Sequence, residues 1–371
     1  MLEARAFVGL DTDKTGIDVA VAEGSIGGEV RWYGRIANTA EALSGVLDKI
    51  QKPGVRLEVC YEAGPCGYGI HRRLNARVGV ACQVVAPSMV PRRPGDRVKT
   101  NRRDAIKLAK LHRAGELTAV WVPGPDHEAM RDLVRTRGQA MADLTRHRQR
   151  ISGFLLRCEI GYEGVAWTKK HRAFLAGLKF AHPAQRLMWS ELLSALDQAA
   201  ARRTRLDQLI DEQIAGWSLA WLVQGLQALR GFGRLNAAML AAEIGDPRRF
   251  QSPVQLMSYL GIVPSEDSTG EKRRQGRLTK TGNGRARKVM IEAAWTYARQ
   301  AKPTAPNGDQ APAVTAVAVT AIADKARHRL SQRYRKLRAR GKSAPLAIAA
   351  VARELSGFVW AIAKAAAPAQ V

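Results

Sequence analysis

The stretch Ala6-Phe-Val-Gly-Leu-Asp11-Thr-Asp-Lys-Thr-Gly-Ile-Asp-Val-Ala-Val21 is an apolar strand that ends in a carboxylate and turns straight back. Asp11 is the residue such a strand has to account for. A charge where an apolar strand ends is rarely buried without a partner, so it meets solvent or holds a cation or a base. Two later stretches, Leu57 to Glu62 and Val98 to Asp104, also place carboxylates after structured segments. Their convergence would make Asp11 more than an exposed strand end.

The first part of the chain alternates strands with helices. Residues 6–11, 17–23 and 29–36 read as three consecutive strands joined by short Gly-containing turns, an antiparallel meander. Thr39 is placed to cap a helix through Ile50, with Leu43, Val46, Leu47 and Ile50 at helical spacing. Val55 to Tyr61 is the next strand, Tyr68 to Arg77 a helix, and Val80 to Val85 a strand. Three antiparallel strands followed by alternating helix and strand is the order of a ribonuclease-H-like sheet, an inference about fold that says little about function.

Glu62 closes the strand Leu57-Glu-Val-Cys-Tyr61 and precedes a Gly/Pro turn, which leaves it at the strand's C-terminal end. Downstream, Thr100 or Asn101 can cap a helix, and Asn101 and Asp104 lie three apart, on one side of its first turn. Hard divalent cations such as Mg²⁺ take carboxylate and carbonyl oxygens, and two of them about 4 Å apart can clamp the attacking and leaving oxygens of a phosphodiester. Asp11, Glu62, Asn101 and Asp104 are the candidates for that clamp. Asp104 equally suits the dipole of a helix's first turn, which spacing does not separate from ligation.

Charge indicates the partner. The 371 residues carry a formal net charge of +26, which points to a polyanion, most commonly nucleic acid. Residues 92–113 hold nine Lys/Arg against two acids, residues 271–288 eight against one, and residues 325–342 nine against none. One such run is often only a solvated helix face; three together favour phosphate contacts. No charged-then-apolar signal precedes Asp11, and no apolar run reaches membrane-spanning length, Ala313 to Ala323 being too short. Cys60, Cys66, Cys82 and Cys158 lack paired ligand spacing, so zinc is not expected and a reducing cytoplasm is the default.

Beyond residue 125 the pattern is helical. Met130, Leu133, Met141, Leu144, Ile151 and Leu155 form one stripe, and Trp189, Leu193, Leu196, Ala200, Leu206, Ile210, Ile214 and Trp217 another. They suit two long helices packed as a coiled-coil hairpin or a dimer contact, with Arg146, Arg148, Arg150, Arg202, Arg203 and Arg205 on the outer face. Leu229-Arg-Gly231-Phe-Gly233-Arg reads as helix, Gly-x-Gly hairpin, helix; it can offer backbone N–H groups to a phosphate or be an ordinary turn. Then Gly261-Ile-Val-Pro-Ser-Glu-Asp267-Ser268-Thr269-Gly270 and Thr279-Lys-Thr-Gly-Asn put hydroxyls in a glycine-bearing loop beside dense Arg. That suffices for phosphate binding. A nucleophilic Ser268 would further need help with deprotonation and cations to hold the phosphate. Helices are expected near 284–300, 313–340 and 345–366, with a Pro/Gly linker at 302–312.

These residues resemble, over nearly the full length, the insertion-sequence transposases of the IS110 family, also called bridge- or seeker-RNA-guided recombinases, and look closest to the IS1111-type branch. The motifs are Gly9-Leu-Asp11, Tyr61-Glu62-Ala-Gly, Lys99-Thr-Asn-Arg-Arg-Asp104-Ala, Gly231-Phe-Gly233, Gly261 through Gly270, and Thr279-Lys-Thr-Gly-Asn. The resemblance implies an α/β RuvC-like DEDD domain over residues 1–125, a helical coiled-coil region over 126–217, and a mostly helical transposase domain with a helix-hairpin-helix-like element over 218–371. The tetrad falls on Asp11, Glu62, Asn101 and Asp104, with Mg²⁺ as cofactor; Asn101 departs from the family's Asp, and its amide oxygen ligates without charge. The nucleophilic serine falls on Ser268, with Thr269 as the alternative.

Nucleic-acid contacts are expected from Arg97, Lys99, Arg102, Arg103, Gly231, Gly233, Lys272, Arg273, Arg274, Arg277, Lys280, Arg285 and Arg287. The resemblance further implies donor and target double-stranded DNA, a non-coding guide RNA, a homotetramer built as a dimer of dimers, and a place in the bacterial cytoplasm at the nucleoid. The rival enzyme is a metal-dependent junction endonuclease that uses water. The rival without activity is a nucleic-acid-binding scaffold whose tetrad has decayed at Asn101.

Overall fold

The computed structural model describes residues 4–25, 27–91, 100–270, 274–299 and 317–368. Arg97, Lys99, Lys272, Arg273 and the linker at 302–312 lie outside them. The chain forms two compact units, Met1–Val122 and Pro123–Val371.

The first unit is a five-stranded sheet of order β3-β2-β1-β4-β5, made of β1 (Ala4–Thr12), β2 (Gly16–Glu23), β3 (Val30–Ala37), β4 (Val55–Glu62) and β5 (Val80–Val85). β1, β2 and β3 pair antiparallel, whereas β4 runs parallel to β1 and β5 parallel to β4. The meander and the parallel additions both follow the sequence reading. Two helices join the strands: α1 (Ala40–Ile50), capped by Thr39, and α2 (Gly69–Asn75).

Side chains alternate across a strand, and here the alternation divides the labour between the faces. Val8, Leu10, Ile17, Val19, Leu57, Val59 and Tyr61 build the core with Leu43, Leu47, Ile70 and Leu74 of α1 and α2. The other face is small: Gly9, Ala20, Ala22 and Cys60 leave room for α3 (Asn101–Arg113), which lies flat on the sheet through Ala105, Leu108 and Ala109. Asp11 and Glu62 share this face by parity. The carboxylates therefore stand on the face that α3 covers.

Among its described residues the second unit is helical apart from one short hairpin. α4 (Pro125–Arg157) and α6 (Pro183–Ile214) pack along each other, with α5 (Lys169–Gly177) between them in sequence. Arg137 pairs with Asp207 and Asp143 with Arg202, so the two helices run antiparallel. Leu144, Ile151, Leu155, Trp189 and Leu196 are buried between the pair as the stripes require, while Met130, Val134, Ile210 and Ile214 join the larger core further along the chain. Four of the six arginines expected on the outer face find partners within the fold. Arg146 and Arg202 meet Asp143, Arg203 meets Asp207, and Arg148 lies over the Trp167 ring.

The larger core gathers α7 (Ala220–Leu226), α8 (Arg234–Ile244), α9 (Pro253–Tyr259), α10 (Gly284–Ala294), α11 (Val317–Ala339) and α12 (Ala344–Ala365). One expectation is corrected: by length and composition α12 is apolar enough to cross a bilayer. The sequence hides this because Arg353 and Glu354 break the run. Ala347, Ile348, Val351, Ala352, Leu355, Val359, Ile362 and Ala363 are nevertheless buried at helical spacing, and Glu354 meets Arg329 and Arg333 of α11. Its apolar side is thus spent on the core.

Candidate active site

Gly9 explains how the acidic residues are placed. A Cβ there would lie 2.4 Å from the Ala105 carbonyl oxygen and 2.5 Å from the Ala109 nitrogen, so α3 crosses β1 backbone against backbone. The helix runs opposite to β1. Arg113 at its end donates to the carbonyls of Glu23 and Gly28, whereas Asn101 at its start reaches Asp13 just past the strand's end. Its first turn, capped by Thr100 rather than Asn101, overhangs the C-terminal end of β1. Leu10 stands beside Tyr61, and Asp11 and Glu62 follow next in their parallel strands. The fold thus brings Asp11, Glu62 and the α3 turn bearing Asn101 and Asp104 to one sheet end and one face.

Side-chain detail departs from a symmetric tetrad. Among the described residues, no group of three or more His, Cys, Asp or Glu side chains is gathered to hold a metal. Asn101 Nδ2 donates to Asp13 Oδ2 at 3.2 Å. Asp13, which sequence reasoning passed over, is a hub. Its Oδ1 accepts the N–H groups of Thr15 and Gly16 at 2.8 and 2.7 Å, and Arg35 Nη2 reaches its Oδ2 at 2.5 Å. The Arg35 guanidinium first, then those N–H groups, hold the Asp13 carboxyl well below the usual carboxylate range. Arg35 also meets the buried Asp18 at 2.7 Å, and Asp18 lies opposite Asp11 in the β1–β2 ladder. The signal for Asp13 was present as Asp-x-Thr-Gly, an aspartate opening a tight turn.

Asn101 therefore has a structural reason to be an amide. An aspartate would set a second carboxylate against Asp13. Asn101→Asp is expected to lower the melting temperature at neutral pH, by like-charge repulsion that raises one of the two acids. The deficit narrows as the pair takes up a proton in acid, and narrows at neutral pH with millimolar-scale Mg²⁺ if a cation enters between them. Thermal melts at two pH values with and without the ion check this.

The hydroxyl loop is a hairpin of β6 (Pro264–Glu266) and β7 (Gln275–Leu278), closed by Asp267 N–H to the Arg274 carbonyl at 2.9 Å. Ser268 is exposed at its turn. Its Oγ donates to Glu266 Oε1 at 3.1 Å and accepts the Arg274 N–H at 3.2 Å. Arg274 and Arg277 on the hairpin, Lys280 just past it and Arg285 at the start of α10 are exposed, while Arg287 is turned inward onto the Leu260 carbonyl at 2.8 Å.

The hairpin's base is pinned by close approach. Gly261 and Gly282 have positive φ, and a Cβ on either would strike the Thr281 or Tyr259 carbonyl oxygen at 1.9 or 2.0 Å. Asn283 caps α10 through Oδ1 while its Nδ2 donates to Glu243 Oε2 at 2.8 Å. Glu243, on α8 and only 3 % exposed, also takes both guanidinium arms of Arg135 from α4 at 2.9 Å. The Thr279-Lys-Thr-Gly-Asn motif thus carries a fold requirement besides any phosphate contact.

Gly231 has φ +87° and sits against Ala293 of α10, where a Cβ would lie 2.6 Å from a backbone oxygen; Gly233 faces open space at the start of α8. Arg102 and Arg103 are exposed on the first turn of α3, with the Arg102 guanidinium 5.0 Å over the Trp32 ring.

A carboxylate-ended mixed sheet followed by a mostly helical region is the arrangement of a DEDD-type transposase. A transposase profile of that type matches residues 8–159, and the profile of the Transposase IS116/IS110/IS902 family matches residues 223–308. The chain belongs to the IS110/IS116/IS902 family of transposases, enzymes that cleave and recombine DNA. It is 45% identical to the transposase candidate y4qE of Sinorhizobium fredii over 97% of this chain and 89% of that protein. It is 28% identical to the transposase of insertion sequence element IS1533 from Leptospira borgpetersenii over 92% of this chain and 99% of that protein. The transposase of IS1111A from Coxiella burnetii is 33% identical over 21% of this chain and 22% of its own length.

Proposed function

We propose that this transposase cuts and rejoins DNA through a covalent link to Ser268, assisted by Mg²⁺ at the carboxylates of the first unit and directed by a non-coding RNA from its own element. The observation that carries the reading is the exposed Ser268 hydroxyl, tied to a carboxylate on a hairpin whose rim is cationic. Ser268 Oγ bonds to a DNA phosphorus, the bond from phosphorus to the 3′ oxygen breaks, and that oxygen leaves as a hydroxyl. Thr269 lacks this support, since it is Ser268 that meets the Glu266 carboxylate. Rejoining to a different 3′ hydroxyl exchanges strands between donor and target.

The sheet order, with Asp11 and Glu62 on neighbouring parallel strand ends, supports a ribonuclease-H-like, RuvC-like reading of residues 1–125. The donor chemistry suits a hard divalent cation: Asp11, Glu62 and Asp104 supply carboxylate oxygens, and Asn101 an uncharged one. When bound, Mg²⁺ would stabilise charge building on the phosphate. The positive end of α3 and the Arg102 and Arg103 side chains draw the DNA backbone to that sheet end. The coiled-coil reading of residues 126–217, the helix-hairpin-helix-like element with Gly233 in residues 218–371, and a tetramer of two dimers belong to the same proposal. With sequence choice delegated to an RNA, the protein's cations contact backbone and shape.

A denaturing-gel assay tests this, using purified full chain, Mg²⁺, RNA transcribed from the element's non-coding flanks, and labelled donor and target duplexes. Wild type is expected to form a covalent protein–DNA adduct that Ser268→Ala and Asp11→Ala both abolish. Cleavage without adduct that survives Ser268→Ala would overturn the nucleophile and leave a junction-type endonuclease using water. No cleavage by wild type, restored by Asn101→Asp, would mark a decayed tetrad.

A further inference from the structure

We infer that Glu266 is the general base for Ser268, an assignment that deepens the nucleophile reading and rests on it. Glu266 ends β6 and Ser268 lies two residues on, a spacing that puts both side chains on one side of extended chain. A serine oxygen has one proton to give and two lone pairs. Here the proton is aimed at Glu266 Oε1, 3.1 Å away, and one lone pair takes the Arg274 N–H at 3.2 Å. Among the described residues no further donor meets this oxygen, which leaves the second lone pair for attack. The Asp267 to Arg274 backbone bond closes the same turn, so base, hydroxyl and N–H donor are held by one short hairpin.

The step balances without another reactant. As the Oγ–P bond forms and the P–O3′ bond breaks, the Oγ proton passes to Glu266, and the departing 3′ oxygen takes a proton from water. Glu266 then returns its proton to the solvent, leaving no net change. When strands rejoin, the reverse transfer restores the serine hydroxyl. Among the described residues, the charged groups flanking Glu266 in the hairpin are Asp267, Arg274 and Arg277, with Lys280 and Arg287 at its base.

Full chain, RNA from the element's flanks and a 3′-end-labelled duplex spanning an element end would be used to measure initial rates of adduct formation from about pH 5 to about pH 9. Wild type is expected to slow in acid as the carboxylate protonates. Glu266→Gln, which keeps shape but not basicity, is expected to be about 100-fold slower at neutral pH. Its rate should climb with pH across the whole range, as hydroxide replaces the missing base. Glu266→Asp, with the carboxylate drawn back, is expected to fall between the two, and DNA binding by filter retention should be unchanged in all three.

A wild-type rate and pH profile in Glu266→Gln, with no adduct in Ser268→Ala, would overturn the base assignment alone. Parallel loss of DNA binding and adduct in Glu266→Gln would also overturn it, by making the residue structural. An adduct that persists in Ser268→Ala would overturn the nucleophile reading beneath it.

Discussion

Gly9→Ala is expected to destabilise the first unit by about 3 kcal/mol, the upper end of what overpacking a core usually costs. The atoms a methyl group would meet are the Ala105 oxygen and Ala109 nitrogen at 2.4 and 2.5 Å, both backbone, so no side chain can swing aside. Relief has to come from lifting α3 off the sheet. The helix holds Asn101 and Asp104 over the ends of β1 and β4, so the same shift moves half of the proposed tetrad away from Asp11 and Glu62. Amide hydrogen exchange across residues 101–113 should accelerate in the variant while exchange in α8 and α10 stays as in wild type. Unchanged exchange in α3 would show that the helix is held by something other than this approach.

Arg135→Ala is expected to cost a further-reaching loss of about 3 kcal/mol, because removing one partner of a buried ion pair strands the other. Glu243 is 3 % exposed and would keep Asn283 but lose both guanidinium bonds. The cost sits at the low end of the usual range because the Arg135 side chain is 39% exposed, so water can enter where it was. Through Asn283 the damage reaches the cap of α10 and the base of the Ser268 hairpin.

The effect should depend on pH. Burial by itself raises the Glu243 carboxyl, but the hydrogen bonds from Arg135 and Asn283 outweigh it and hold the folded value below the ordinary one. A depressed folded value means stabilisation that is present at neutral pH and fades as pH falls through it. In Arg135→Ala burial stays while the Arg135 hydrogen bonds and charge are gone, so the folded value rises and the stabilisation shrinks. The gap in melting temperature between wild type and variant should be widest near neutrality and shrink toward about pH 4. A gap independent of pH would mean that Glu243 is not charged in the native protein.

Much of this protein was legible in its sequence. Strand-like runs joined by Gly-containing turns specify the β1 to β3 meander, and helical stripes specify α4 and α6, because local spacing and turn residues are what those elements are made of. Asp11 and Glu62 were legible as strand-end carboxylates, and Ser268 as a hydroxyl among arginines. Even the Glu266-x-Ser268 pair was readable in principle, since two residues apart on a strand is one face.

Tertiary structure decided what depends on contacts between residues distant in sequence. In sequence Asn101 is only the tetrad's departure from Asp; the fold sets it beside Asp13, 88 positions away, where an amide donates what a carboxylate cannot. Glu243 and Arg135, 108 positions apart, carry no local signal, since each is ordinary on its own helix and only their meeting in a buried place gives them a role. Gly9, Gly261 and Gly282 appear in sequence as turn-formers or spacers; their reason is a backbone from elsewhere passing within 2.4 Å of where a side chain would be. Sequence thus determined the elements and the chemistry on offer. Packing determined which carboxylates hold the fold and which stand at the sheet end and hairpin where the proposed chemistry would use them, because desolvation and close approach depend on distances that sequence separation does not set.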